Sequence, residues 1–324
     1  MEISMFNGWY FFWVILLLGI TVGLYFLLRN KSERVQKTVL FSLLLIGIIM
    51  HFLKAYIPPY SIDEARNLRD SWFINICGAN IALFPIFFFS KSKYIRDYMF
   101  YIGVLSGLIA IFYPQEPMAK VDQLGESLDI IRFYYHHWML LAVPLLGKLF
   151  GHYKLSYKRV FSAPIGLLAL MLFIILNQIF QSELGFIPLR NDGDFFNINY
   201  KNTSYIWGPG ENDAIGSFLA IFTPDFFKTV PVGQYAGQEK YWPWFWMIFP
   251  VFILVTPLSF LLSMIFDHKQ FAEDMKNLPS ALKNAWTSRK AIAANLMAGR
   301  PLSYGIGKDS RSEQDEKIVE ISEL

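Results

Sequence analysis

Long apolar runs alternate with short polar segments along this chain, and the runs predict its elements. Crossing a hydrocarbon layer about 30 Å thick takes about 20 mostly apolar helical residues. Seven stretches qualify: Trp9–Leu28, Thr38–Ile57, Ser71–Ser90, Tyr98–Tyr113, Asp129–Phe150, Val160–Phe180 and Tyr241–Phe266. The predicted fold class is therefore all-α, a polytopic membrane helix bundle of about seven transmembrane helices occupying residues 1–268. No internal repeat is evident. The first run lacks a basic leader and a small-residue cleavage site, so it is read as a retained helix rather than a signal peptide.

Two regions fall outside this pattern. The segment 181–240 is rich in turn residues around Trp207-Gly-Pro-Gly-Glu211, and its apolar patch Phe218–Phe227, broken by Pro224, is too short to span. It predicts an outer loop with a surface-lying or re-entrant piece. Residues 269–302 place Leu278, Leu282, Trp286, Ile292 and Leu296 among Lys283, Arg289 and Lys290, the pattern of an amphipathic helix at a lipid interface. The polar stretch 303–324 reads as a disordered tail.

Composition agrees with lipid as solvent. Of 324 residues 54% are hydrophobic and 17% charged, against about 25% charged in soluble domains. The net charge of +3, without a basic cluster interleaved with aromatics, excludes a nucleic-acid partner. Basic residues in short loops set orientation. Arg29, Lys31, Arg34, Lys37, Lys91, Lys93, Arg96, Lys148, Lys154, Lys158 and Arg159 follow the odd-numbered runs, whereas only Lys54, Arg66, Arg69 and Lys120 follow the second and fourth. This predicts an outer N-terminus, a cytoplasmic tail and a multi-pass protein of the bacterial cytoplasmic membrane.

Polar groups inside spans are costly and therefore informative. Helix rise and this orientation bring His51, Cys77 and His137 to one depth, roughly 8–12 Å below the outer surface. Asn75 and Asn80 flank the cysteine, His136 adjoins His137, and Trp242, Trp244 and Trp246 lie at the same level. Asn80 shares a face with Cys77. His136 and His137 are about 100° apart on a helix, so one cavity is not expected to take both. Arg132 is expected to snorkel toward headgroups. Each group also has a bland reading: a lone cysteine as a small buried apolar residue, the histidines as packing, the tryptophans as an interfacial belt.

The segment Ile74-Asn75-Ile76-Cys77-Gly78-Ala79-Asn80-Ile81-Ala82-Leu83 resembles the cysteine helix of the YwaF family of bacterial membrane proteins. Phe133-Tyr-Tyr-His-His137-Trp-Met-Leu-Leu-Ala142 is similar to that family's histidine helix. Asn199-Tyr200 resembles its outer-loop motif, and Tyr241-Trp-Pro-Trp-Phe245 resembles the entry to its last helix. The resemblance covers roughly residues 35–266. Many bacterial members carry histidine two residues before the cysteine, where this chain has Asn75. An animal relative, transmembrane protein 164, is regarded as a cysteine-dependent lipid acyltransferase, and both resemble the androgen-induced fatty-ester hydrolases.

The resemblance implies Cys77 as nucleophile and His137 as its base. Asn80 or Asn75 would serve the oxyanion and His51 would be a positioning group. Trp242, Trp244, Trp246, His136, Asn199 and Tyr200 would line the cavity, and membrane phospholipids would be the substrate. No cofactor or metal enters this reading. Two alternatives remain: a transporter or small-ligand or lipid-binding protein using the same pocket, disfavoured as a transporter by the lack of an inverted repeat or deep carboxylate, and a metal site of His51, Cys77 and His137.

Overall fold

The computed structural model describes residues 2–58, 60–62, 73, 75–118, 124–184, 204–209, 214–230, 232–234 and 236–297. The predicted Asn199-Tyr200 motif and the predicted tail 303–324 lie outside these residues.

Seven long or apolar helices carry the fold: α1 (Gly8–Leu28), α2 (Glu33–Leu53), α3 (Ile76–Phe88), α4 (Lys93–Phe112), α5 (Leu128–Leu149), α6 (Ser162–Glu183) and α7 (Thr256–Met297). Local chemistry fixes several of their starts. Asn7, Ser32, Asn75 and Ser127 adopt extended backbone, and each side chain accepts a bond from an amide in the first turn. Such caps satisfy donors that have no intrahelical acceptor. No strand forms among the described residues, and Thr229 and Glu239 make an isolated bridge.

The chain is thus a helical, multi-pass membrane protein. Five helical segments are long and apolar enough to cross a membrane: Gly8–Leu28, Glu33–Ile62, Lys93–Met118, Tyr157–Gln181 and Phe245–Lys290. Many of their large apolar side chains face outward, including Ile15, Leu27, Ile109 and Leu261, as a lipid-facing surface requires. The other two helices differ. At 13 residues, α3 is about 20 Å long, and it begins five residues later than its apolar run predicted. The polar first turn of α5 carries Asp129 and Arg132, and this helix occupies the middle of the bundle with 16 of its 22 residues buried.

Around α5 pack α1, α2, α3 and α4, with α6 against α3 and α4. The α4–α5 contact is the most extensive, and two glycines explain it. A Cβ on Gly103 would lie 2.4 Å from the carbonyl oxygen of Leu140, and one on Gly107 would lie 2.6 Å from that of His137. Spaced four apart, these glycines form one strip of α4 against which the α5 backbone rests, the small-residue device of membrane helix pairs.

Ahead of α7 the chain passes through a 3-10 turn (Phe245–Met247), a short α-turn (Ile248–Pro250) and a π-turn (Val251–Val255). The apolar patch of the segment 181–240 forms a helix at Ala214–Ala220 and a 3-10 turn at Asp225–Phe227, separated at Pro224. By contacts the chain divides into Met1–His268 and Lys269–Leu324. In the second unit, helix continues to Met297, with Leu278, Leu282, Trp286 and Ile292 exposed.

Candidate functional site

Cys77 is the second residue of α3, and this is the feature the apolar run concealed. The run predicted a helix from Ser71 with the cysteine six residues in, within its first half. Instead Asn75, itself extended at φ −133° and ψ 161°, caps the helix start. Its Oδ1 accepts from the Gly78 amide at 2.6 Å and its carbonyl accepts from the Ala79 amide at 2.9 Å. The thiol therefore sits at a helix N-terminus, where the helix dipole favours negative charge. The Cys77 amide itself makes no hydrogen bond among the described residues.

His51 is brought to this turn from the last turn of α2. A Cβ on Gly78 would meet its Cε1 at 3.7 Å and the Asn75 Oδ1 at 2.9 Å, so the glycine makes room for both neighbours. The His51 ring stacks on Phe73 with centroids 5.2 Å apart and lies 6.3 Å from the ring of His136. Glu116 lies within electrostatic reach of both Cys77 and His137. Thiol, imidazoles and carboxylate thus share one end of the bundle.

The adjacent histidines have separate tasks. His137 Nδ1 is 2.8 Å from the Phe133 carbonyl, and a carbonyl only accepts, so Nδ1 carries the hydrogen. Neutral His137 is left with a lone pair on Nε2, which makes no hydrogen bond among the described residues. His136 uses both nitrogens: Nε2 donates to the Gly47 carbonyl at 3.0 Å, and Nδ1 faces the Arg132 guanidinium at 3.5 Å. The Gly47 bond ties α5 to α2.

Arg132 corrects an expectation. Rather than reaching to headgroups it is 8% exposed, with Nη2 2.6 Å from Asp129 Oδ1, 3.2 Å from the Tyr60 hydroxyl and 3.9 Å from Glu116 Oε1. An acidic residue three positions earlier on the same helix supplies the counter-charge, which offsets part of the cost of burying the guanidinium.

Asn80 is fully buried. Its Oδ1 accepts from the Tyr98 hydroxyl at 3.0 Å, while its Nδ2 donor is buried without a partner. Unpaired buried donors are uncommon and call for a reason. On α6, Asn177 donates to the Phe73 carbonyl at 3.4 Å. Gln178 and Gln181 beyond it are buried with unpartnered amide atoms. These three went unremarked in the sequence, although three amides at i, i+1 and i+4 at the end of an apolar run were the available signal. Among the described residues no three histidine, cysteine or acidic side chains converge to hold a metal ion.

The TMEM164 family model matches residues 3–211, well over half of the chain and inclusive of α1 to α6. The chain belongs to the TMEM164 family. Comparison with curated proteins and with solved structures finds no match. The matched span contains Cys77, Asn80, His51, His136 and His137, so the TMEM164-family region includes every one of these polar groups.

The tryptophans follow the matched TMEM164-family segment, and each indole is spent on a backbone carbonyl. Trp242 donates to Thr229 at 2.8 Å, Trp244 to Leu168 at 2.9 Å and Trp246 to Tyr205 at 2.7 Å. Trp246 is wholly buried. Trp244 sits at φ +69°, a strained conformation for a bulky residue, and fastens the outer segment to α6. Trp242 is half-buried against Phe226 and Phe227. These three indole bonds go to Thr229, Leu168 and Tyr205 rather than to α3.

Proposed function

We propose that this TMEM164-family protein transfers or hydrolyses acyl groups of membrane phospholipids through Cys77, in an outer-leaflet cavity of the bacterial cell membrane. The observation that carries the reading is the capped N-terminus of α3, which presents a half-buried thiol to the positive end of the helix dipole, with no partner for the Cys77 amide among the described residues. A thiolate is the reactive form, and helix N-termini with neighbouring imidazoles promote it.

In this scheme Cys77 Sγ forms a bond to the ester carbonyl carbon of a phospholipid while its proton passes to His137 Nε2. The hydrogen bond from Nδ1 to Phe133 holds the tautomer that leaves Nε2 able to accept. Collapse of the tetrahedral adduct breaks the carbon–oxygen bond, and the proton moves from Nε2 to the departing lipid alcohol. A second hydroxyl, or water, then attacks the thioester, gives its proton to the same nitrogen and restores the thiol. The Cys77 amide and the buried Asn80 Nδ2 are the donors suited to the developing oxyanion. His51, against the Gly78 turn, positions the thiol, and Asn75 contributes as the cap.

The test is acyl turnover by purified protein in phospholipid nanodiscs, with intact-mass detection of a thioester. Wild type is expected to acylate at Cys77. Cys77→Ser should lose turnover by at least about 10²-fold, and His137→Gln should lose about 10²–10⁴-fold, as for removal of a general base. Unchanged turnover in Cys77→Ala would overturn the enzyme reading and favour a lipid-binding or transport role for the same pocket.

A further inference from the structure

A second site lies toward the other end of α3. Between α3, α4 and α6 runs a groove of about 590 Å³, walled by Leu83, Phe87, Tyr98, Gly166 and Phe173, with Lys158 and Arg159 at one end. Its volume falls in the range of about 300–1,000 Å³ usual for ligand pockets. The groove opens to the outside of the bundle, since Tyr94, Phe161, Ile165 and Phe173 on its margins are exposed. Gly166 permits its depth: a Cβ there would lie 2.3 Å from the Tyr98 ring.

Length and charge define the occupant. The α6 wall from Phe161 to Phe173 covers roughly 18 Å at 1.5 Å per residue, close to half of a hydrocarbon layer about 30 Å thick. That suits one acyl chain from one leaflet. The groove ends near the links from α3 to α4 and from α5 to α6, and the Asp97–Arg159 ion pair joins α4 to the second of these links at 2.6 Å. Those links and the adjoining helix ends carry Lys91, Lys93, Arg96, Lys148, Lys154, Lys158 and Arg159 against the single acidic residue Asp97. The α6 N-terminus, at Ser162 on the groove, adds positive potential there.

We infer that this groove holds one acyl chain of an anionic phospholipid whose phosphate sits at the Lys158 end. Seated so, the lipid's ester groups lie by the basic rim. Cys77 is ten residues, or about 15 Å of helix, from Phe87, so this lipid is not the ester attacked by the thiol. The site stands apart from the acyl-transfer reading.

Native mass spectrometry of the full-length protein in detergent, with phosphatidylglycerol or phosphatidylcholine of identical chains, tests it. Wild type is expected to hold one phosphatidylglycerol with about fivefold preference or more, given about 1 kcal/mol per basic residue near an anionic surface. Ala169→Trp, or Ile165→Trp, fills the groove from an exposed position and should lower binding of both lipids. Lys158→Glu should remove only the preference. Cys77→Ala should bind as wild type, which separates this site from the thiol. Unfolding temperatures confirm that each variant is folded. Equal binding of the two lipids by wild type, or undiminished binding by both folded tryptophan variants, would overturn the proposal.

Discussion

At the residue scale, the cysteine turn depends on one position without a side chain. Gly78 lies where a Cβ would press on Asn75 Oδ1 at 2.9 Å and touch His51. Gly78→Val should therefore displace the cap, at about 1–2 kcal/mol, and move His51 from the turn. Thermal unfolding and the labelling rate of Cys77 by an acyl probe measure the two effects, and a variant with wild-type values for both would refute this account. The Asn80–Tyr98 bond offers a second case. Tyr98→Phe alone should cost about 1 kcal/mol by removing one buried hydrogen bond. Asn80→Leu alone strands the tyrosine hydroxyl, but the double change removes donor and acceptor together and should be less destabilising than the two single costs added. A double-mutant cycle by chemical unfolding reads the coupling. If Asn80 Nδ2 serves the oxyanion, Asn80→Leu also lowers turnover while Tyr98→Phe spares it.

At the element scale, the catalytic proposal rests on how closely α4 and α5 approach. Gly107 lies against the carbonyl of His137 itself, so the backbone that carries the proposed base is set by a glycine on another helix. Gly107→Leu is expected to push the helices apart, destabilise by about 1–3 kcal/mol through overpacking, and lower turnover beyond what the remaining folded fraction explains. The spacing Gly103-Val-Leu-Ser-Gly107 was present in the sequence, but it does not name the partner helix. The Asp97–Arg159 pair makes an analogous link between α4 and the start of α6, with Asp97 wholly buried. Arg159→Met should cost about 3 kcal/mol because it leaves a buried carboxylate without its counter-charge. Pairing it with Asp97→Leu should recover most of that loss, as judged by unfolding temperature in a single detergent.

At the scale of the whole molecule, one connection outside the spans couples stability to pH. His152, in the link from α5 to α6, donates from Nε2 to Gln36 Oε1 at 2.9 Å, and Gln36 in turn donates to the Leu28 carbonyl. Burial first, then the Lys37 charge, lowers its proton affinity below that of a free imidazole, with Glu33 opposing and Arg96 adding to the Lys37 effect. The folded protein therefore favours neutral His152 more than the unfolded chain does. Its contribution is present above the unfolded value near 6.5 and is lost as pH falls through that value toward the lower folded one. Unfolding temperature should decline between about pH 7 and pH 5, and His152→Gln should flatten that part of the profile. An unchanged slope would assign the decline to other groups.

The apolar runs determined that this is a helical, multi-pass membrane chain, because lipid demands about 20 apolar residues per crossing and leaves that demand visible at every position. The third run overstated its helix, since apolar composition does not mark where a helix starts until a cap such as Asn75 is recognised. Likewise Arg132 read as a surface residue because composition records its charge but not the Asp129, Tyr60 and His136 that surround it. The sequence singled out Cys77, His51, His137 and Asn80 because polar groups within apolar runs are few. Only the folded chain decided which nitrogen of His137 keeps its lone pair, that both nitrogens of His136 are bonded, and that the tryptophans brace the outer segment. Those outcomes depend on contacts that range from four positions apart, His137 to Phe133, to 89, His136 to Gly47. One-dimensional patterning records what each residue tolerates, whereas packing selects which of the tolerated neighbours it meets.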